Sequence, residues 1–581
     1  MELNLQNKKA LKKELLEKDS LIHKKVAILS GSTIGEVVKI LELYLLHQGI
    51  IPEFWVGDYD RYYEDAVFEN DSLKTFGPDI IYIHTTNKNI QTYPGIGDSE
   101  EKNLEIIEIE YQRFEQIWSS LKERYHCPII QNNFEPLHYR VMGNADSYRL
   151  NGKQRYINDL NKKIYDYANR TEDFYINDIN YLAAYCGITK WFDESKWYLY
   201  KYALNPEAIP LLCQSISSII KALFGKNKKA LVLDLDNTLW GGVIGDDGVE
   251  NIQLGEESPQ GRAYKDFQLY LKDLSKIGVL LNVCSKNEYE LAIAGFNHNS
   301  SVLSLSDFIA FEANWEHKNI NIEKIASQIN LNCDSMVFVD DNPAEREIVK
   351  LGIPNISVPE VLEPEKYIST IDKEGYFEVT NLTADDLRRK DYYQVNEKRK
   401  TASNNFDDYN AYLKSLEMKA EIHEFKIENI ERVTQLINKT NQFNFTTKRY
   451  TKPEIEILQD SKEIITLQAS LQDKYGDNGI VSAIIAETDN DAATINLWVM
   501  SCRVFKRNLE YAIVDQLIYE CQKRGIKSIY GQYIPSSKNA IIKDLYKDLE
   551  FTCVDEHNET TKWEYKIPTN YKPRNNVIGV K

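Results

Sequence analysis

Residues 230–240 read Ala-Leu-Val-Leu-Asp-Leu-Asp-Asn-Thr-Leu-Trp, and their reading decides the fold. The apolar opening has strand character and runs into two carboxylates, Asp234 and Asp236, with Thr238 behind them. In a strand, residues two apart lie on one face. Two anions held together at a strand end repel each other unless a cation sits between them. Carboxylate oxygens suit Mg²⁺, which keeps several waters and takes few protein ligands. The chemistry such a pair serves is phosphoryl transfer, with one Asp attacking phosphorus and the other handling the proton.

Working outward, a second strand-like run, 279–284, ends in Ser285, a hydroxyl placed to donate to a phosphoryl oxygen. Lys318 follows, just before a helical stretch at 321–330, and offers a point charge to a phosphate or a carboxylate. A third apolar run, 335–339, ends in Asp340 and Asp341, with a helix expected over 344–350. Strands alternating with helices predict an open parallel sheet, whose ligands bind beyond the strands' carboxyl ends. Only about fifty residues separate the first two motifs, too few for a large cap domain.

The ordered set Asp-x-Asp-x-Thr, Ser, Lys, Asp-Asp resembles the haloacid dehalogenase (HAD) phosphatase superfamily. Three longer runs are similar to its FkbH-like group, subfamily IIIC: Leu-Asp-Asn-Thr-Leu-Trp-Gly-Gly-Val-Ile-Gly-Asp-Asp-Gly (235–248), Val-Cys-Ser-Lys-Asn (283–287) and Val-Asp-Asp-Asn-Pro-Ala-Glu-Arg-Glu (339–347). Further runs at 436–444, 475–479 and 498–504 resemble that group's C-terminal region. The resemblance implies that Asp234 is the nucleophile and Asp236 the general acid and base. It places Mg²⁺ on the Asp234 carboxylate, the Asp236 main-chain carbonyl and Asp341, with Asp340 in support. Thr238, Ser285 and Lys318 would bind phosphoryl oxygens, and Trp240–Gly242 would open a short flap. The implied activity is that of a glyceryl transferase/phosphatase. Such an enzyme moves a glyceryl unit from 1,3-bisphosphoglycerate to the phosphopantetheine thiol of an acyl carrier protein and removes phosphate. The alternative is a simple Mg²⁺-dependent phosphatase whose flanking domains are recognition modules. Transfer would gain from a protein thiol, since thiolates attack acyl phosphates readily. Cys284 and Cys502 are the candidates, although free cysteines most often fill cores.

A chain of 581 residues is too long for one core and predicts three domains. These are an SGNH-like α/β domain over 1–200, a HAD-type Rossmannoid domain without a large cap over 201–375 (core 226–360), and linker helices with a GNAT-like α+β domain over 376–581. The expected class is α/β, with the third domain α+β. A net charge of −18 disfavours nucleic acid and anionic membranes. No run approaches ~18 apolar residues, no signal-peptide core opens the chain, and the eight cysteines lack C-x-x-C spacing. The expectation is a cytoplasmic protein. An acidic enzyme that receives an acidic carrier needs a local basic patch, for which Lys448, Arg449, Lys452, Arg503, Lys506 and Arg507 are candidates.

The first domain is expected to open with a helix over 1–22, followed by strands at 25–30, 51–56, 78–84 and 128–131. Val-Ala-Ile-Leu-Ser-Gly-Ser (26–32) resembles the first block of SGNH hydrolases, with Ser32 at the nucleophile position and Asn132 and Asn133 as oxyanion-hole candidates. Lys196 stands where that family has its His, which points to the architecture without esterase activity. The charged segment 360–405 reads as exposed linker helices. At the far end, 539–551 resembles the close of a GNAT domain. The turn after Trp498–Cys502, however, lacks the glycine-rich loop that would hold the pyrophosphate of acetyl-CoA.

Overall fold

The computed structural model describes residues 3, 5–17, 21–403, 406, 408–536, 538–557 and 559–581. The chain forms two compact units that divide between Lys221 and Ala222.

The first unit is a five-stranded parallel sheet of Ile22–Ser30, Ile50–Val56, Ile80–His84, Ile129–Asn132 and Phe174–Asn177, in the order second, first, third, fourth, fifth. Helices Gly35–His47, Glu100–Tyr125 and Lys153–Arg170 pack against it. The first strand is fully buried from Val26 to Leu29, which is why it reads as an unbroken apolar run. Of the helix expected over 1–22, the described part is Lys8–Leu16; Ile22 already belongs to the strand, and 1, 2, 4 and 18–20 lie outside the described residues. The unit's boundary also differs from the expected one at 200. Helix Ile209–Leu223 buries Leu212, Cys213, Ile216 and Ile220. In addition, Cys213 Sγ donates to Val37 O and Ser215 Oγ to Asn177 Oδ1. These contacts assign residues 201–221 to the first unit rather than to the domain that follows it.

The second unit opens with a four-stranded, wholly parallel sheet. Its order is Phe308–Ala313, Leu280–Ser285, Ala230–Leu233, Met336–Val339. Helices Pro259–Lys276, Lys318–Gln328 and Pro343–Gly352 connect and cover the strands. Proline at the start of two of these helices is pre-set for the first turn, and Ser258 and Asn342 cap them by accepting Gly261 N and Ala344 N.

The remainder of this unit carries an eight-stranded mixed sheet with the order and splayed centre of a GNAT-like α+β domain. Ala492–Met500 runs parallel to Ser528–Tyr533 only as far as the pair Ile495 and Gly531, where the two strands part. The gap is filled by the chain itself. Phe445 N donates to Trp498 O, Met500 N to Phe443 O, and Ile534 N to Phe445 O. The Phe445 ring lies 5.3 Å from Trp498 and 4.3 Å from Tyr546, contacts of a kind worth ~0.5–1.5 kcal/mol each beyond burial.

The segment read as an exposed linker is instead built into the interior. Tyr392, Tyr393, Asp386 and Arg399 are buried. Arg399 grips Asp473 through two nitrogens at 2.8 and 2.7 Å, and Lys390 reaches Asp307 at 2.7 Å. These charges are internal partners, which composition cannot distinguish from solvated ones. Gly225 marks another close approach: its φ is +68° and an added Cβ would lie 2.0 Å from Asn438 O. Gly225→Ala should therefore cost about 2–4 kcal/mol from left-handed strain plus a backbone clash. Thermal unfolding would show this as a lowered midpoint, and an unchanged midpoint would refute the contact.

Candidate active site

All the polar residues expected at strand ends converge at the carboxyl edge of the four-stranded sheet. Asp234 ends Ala230–Leu233, Ser285 ends Leu280–Ser285, and Asp340 follows Met336–Val339. Asp234 N donates to Val339 O, which sets the two acidic strand ends side by side. Lys318, the first residue of its helix, reaches between them: its Nζ lies 2.9 Å from Asp234 Oδ2 and 2.6 Å from Asp340 Oδ2.

Charge is unbalanced here. Carboxylate oxygens of Asp234, Asp340 and Asp341 all lie within 4.8 Å of one another, against the single ammonium of Lys318. Burial, and next the charge of Asp234, push both Asp340 and Asp341 above the usual carboxylate range, with Lys318 working the other way. For Lys318, burial opposes the charged form, but Asp234 and Asp340 outweigh it and hold the amine above its ordinary value. Asp234 Oδ1 is buried and accepts no hydrogen bond. Three oxygen donors with two uncompensated charges, one donor atom left unpartnered, fit a hard divalent cation of the Mg²⁺ kind.

The Asp236 carboxylate is not part of that trio. Its Oδ1 accepts Trp240 Nε1 at 2.9 Å and Ile244 N at 3.2 Å, and its Oδ2 accepts Asn287 Nδ2 at 2.9 Å. Three uncharged donors thus fix its orientation. The turn between the two acids depends on Asn237, whose φ is +53°; Asn tolerates the left-handed region better than most residues. Asn237 Oδ1 accepts Gly242 N, and its carbonyl accepts Tyr367 OH at 2.9 Å. Gly241 and Gln253 exchange two backbone bonds, which closes the loop that follows Trp240. Thr238 Oγ1 accepts Asp341 N, and Ser285 Oγ accepts Asn287 Nδ2. Arg346 Nη1 donates to the carbonyls of Asp340 and Asp341 at 2.8 and 2.7 Å and so fixes the acidic turn. Asn287 and Arg346 lie inside the quoted motifs, but spacing alone gave neither a role.

The two cysteines fare differently from expectation. Cys284 points away from the site, as the strand alternation beside Ser285 requires. It is fully buried among Ile322, Phe338 and Ala310, its Sγ facing Lys318 O, and burial pushes its thiol well up. That is a core residue, not an activated nucleophile. Cys502 does not enter a GNAT cleft, because Phe443–Thr446 occupies the splay. It faces the domain of the four-stranded sheet instead: Asn330 Nδ2 donates to Cys502 O, and its Sγ lies 3.8 Å from Tyr393 OH.

Half of the expected basic patch is likewise internal. Arg449 donates to Ile437 O, Arg507 is buried against Asp473, and Arg503 packs over the Tyr392 ring at 4.3 Å. In the first unit, the buried Ser32 Oγ has no hydrogen-bond partner. Asn132 binds Tyr82, His84, Thr85 O and Asn177, and Asn133 binds Tyr165 and Asp178, so the amide hydrogens of both side chains are already engaged. Asp193 caps helix Glu194–Tyr200 by accepting Lys196 N. Among the described residues no helix is long and apolar enough to cross a membrane.

Residues 25–221 match the model of the FkbH N-terminal domain. Among solved structures, the N-terminal part of BF1531 from Bacteroides fragilis, described as containing a phosphatase domain complexed with Mg, is 29% identical with a TM-score of 0.59. The match covers 65% of this chain and 100% of that one. Also similar are the ribosomal-protein-S18-alanine N-acetyltransferase of Escherichia coli (14% identity, TM-score 0.21, 26% and 99% covered) and a GNAT-family acetyltransferase of Streptococcus pneumoniae (16%, 0.22, 26% and 100%). A comparison with curated proteins gave no match. Residues 25–221 are thus similar to an FkbH N-terminal domain, and 65% of the chain resembles a solved structure that contains a phosphatase domain.

Proposed function

We propose that the chain is a Mg²⁺-dependent glyceryl transferase/phosphatase, taking 1,3-bisphosphoglycerate and loading a glyceryl unit onto an acyl carrier protein. The observation that carries the phosphatase half is the buried, unpartnered Asp234 Oδ1 within an acidic trio whose one lysine partner among the described residues is Lys318. In this reading Asp234 attacks phosphorus and becomes an aspartyl-phosphate, while Asp236 delivers a proton to the leaving oxygen and later takes one from water. Thr238, Ser285 and Lys318 receive the phosphoryl oxygens. Asp234, Asp341 and the Asp236 carbonyl would hold Mg²⁺, with Asp340 as the support that keeps Lys318 in place. When bound, the ion neutralises charge on the phosphoryl group.

For the transfer half, the family resemblance and the thiol of Cys502 support attack on the acyl-phosphate carbonyl. A carbon–sulfur bond forms, the carbon–oxygen bond to phosphate breaks, and phosphate leaves with the electron pair while the thiol proton passes to solvent. The acyl group then exchanges onto the carrier thiol. A second reading, a phosphatase with recognition domains, is favoured by the filled splay of the C-terminal sheet.

Activity on p-nitrophenyl phosphate should vanish with a chelator and return with Mg²⁺; metal-independent turnover would contradict the acidic-trio assignment. Incubation with 1,3-bisphosphoglycerate and holo-carrier protein, followed by intact-mass measurement, separates the two readings. A glyceryl adduct on the carrier supports transfer, and phosphate release with an unmodified cognate carrier leaves the phosphatase alone.

A further inference from the structure

The loops that bring Ser285 and Asp340 to the acidic centre also carry an ion pair that the proposed chemistry leaves unused. Leu280–Ser285 and Met336–Val339 pair with opposite sides of Ala230–Leu233. Lys286 directly follows the first of these flanking strands, and Glu345 lies in the first turn of Pro343–Gly352, the helix after the second. Lys286 Nζ nevertheless donates to Glu345 Oε1 at 2.6 Å. Two strands that flank a third stand ~9.6 Å apart, so the pair spans the carboxyl end of the strand between them. The first residue beyond that end is Asp234.

Both members are fixed through their chain neighbours. Asn287, next to Lys286, donates to Asp236 Oδ2 at 2.9 Å and to Ser285 Oγ at 3.3 Å. Arg346, next to Glu345, donates to the carbonyls of Asp340 and Asp341. The Lys286 and Glu345 side chains are 32% and 13% exposed, so the pair is sheltered yet open to solvent on one side. One oxygen of Glu345 is spent on Lys286; the other, Oε2, is buried and accepts no hydrogen bond. An ion pair that merely held two loops together would gain nothing from a buried carboxylate oxygen left unsatisfied. An ionised carboxylate only accepts, so the group that completes Oε2 is a donor. An ammonium only donates, so the groups that complete Lys286 are acceptors.

We propose that Lys286 and Glu345 are specificity-determining residues of this centre, which read the substrate beyond its phosphoryl group: Glu345 Oε2 accepts from a hydroxyl, and Lys286 donates to a carboxylate or carbonyl oxygen on the neighbouring carbon. The substrate class this selects is a phosphorylated hydroxy acid or an acyl derivative of one. The inference rests on the phosphatase half of the proposed function and deepens it, since it assigns contacts by which the centre tells one phosphate compound from another.

The test is competitive inhibition of p-nitrophenyl phosphate turnover by the full-length protein, with Mg²⁺ in excess and a set of matched ligands. 3-Phosphoglycerate carries both groups, 3-phosphooxypropanoate lacks the hydroxyl, and glycerol 3-phosphate lacks the carboxylate. In the wild type, 3-phosphoglycerate should have the lowest inhibition constant, by about tenfold against each analogue, as expected for one hydrogen bond to a charged group. Glu345→Met should erase the advantage over 3-phosphooxypropanoate. Lys286→Met should erase the advantage over glycerol 3-phosphate, and Lys286→Arg should keep most of it. The wild-type ratios test the proposal even where a variant fails to fold. Equal constants for all the ligands in the wild type, or ratios that both variants leave unchanged, overturn it. Loss of both preferences together in both Met variants makes the pair a strap between loops and overturns it as well. Metal-dependent turnover with equal constants removes only this inference. Absence of Mg²⁺-dependent turnover removes the phosphatase reading, and the inference with it.

Discussion

Asp234→Asn should reduce phosphate release from p-nitrophenyl phosphate by at least about a thousandfold while leaving the protein folded. The amide occupies the same volume but cannot attack phosphorus, and no neighbour is placed to substitute. Asp340 is committed through one oxygen to Lys318 and through the other to Asn342 N, and the Asp236 carboxylate is held by Trp240, Ile244 and Asn287. Stability should hold or rise slightly. Asp234 is one of the charges that push Asp340 and Asp341 upward, and removing it relieves both while Lys318 keeps its 2.6 Å partner. Loss of turnover with an unchanged melting midpoint is therefore the signature of a chemical role. Turnover within tenfold of wild type would remove Asp234 from the nucleophile position.

The convergence of acidic and polar side chains at one sheet edge was readable because these residues sit where chain periodicity puts them. Apolar runs of strand length end at Asp234, Ser285 and Asp340, and parallel strands with helical crossovers must gather such ends on one edge. The same alternation that brings Ser285 into the site turns Cys284 into the core, a consequence available from the sequence once the strand is drawn. What could not be read depends on contacts between distant segments. Phe443–Thr446 fills the gap beside Trp498 from more than fifty residues away, so a cleft inferred from the domain type is closed by a segment that looked like a loop. Arg399 and Asp473 are likewise far apart in sequence, and a buried ion pair has the composition of a solvated linker. The helix Ile209–Leu223 has an apolar face in either assignment, but nothing local states which domain that face meets.

The largest effect on stability is expected at Lys318. Its ammonium is the only cation among the described residues bonded to the carboxylate of Asp234 or Asp340, whose side chains are 10% and 0% exposed. In Lys318→Met these carboxylates face each other with nothing between them, and breaking such a buried arrangement costs about 3–5 kcal/mol at neutral pH. Two conditions should lessen the loss, each for an electrostatic reason. Below the unfolded carboxylate value near 3.8 both states are protonated and the penalty is absent; it builds as pH rises above that value and is complete above the raised folded value of Asp340, so the variant should lose ground from acid toward neutral pH. Mg²⁺ should recover part of the loss by binding the folded state alone and replacing the missing charge. The measurement is the thermal midpoint of Lys318→Met and wild type at pH 5 and pH 8, with and without Mg²⁺. A deficit that ignores both variables would assign Lys318 to packing, through the stem that carries its amine 5.9 Å from the Phe338 ring. A deficit that shrinks with acid and with Mg²⁺ would establish that the lysine is the resident counter-charge of a centre built to receive a second, divalent one.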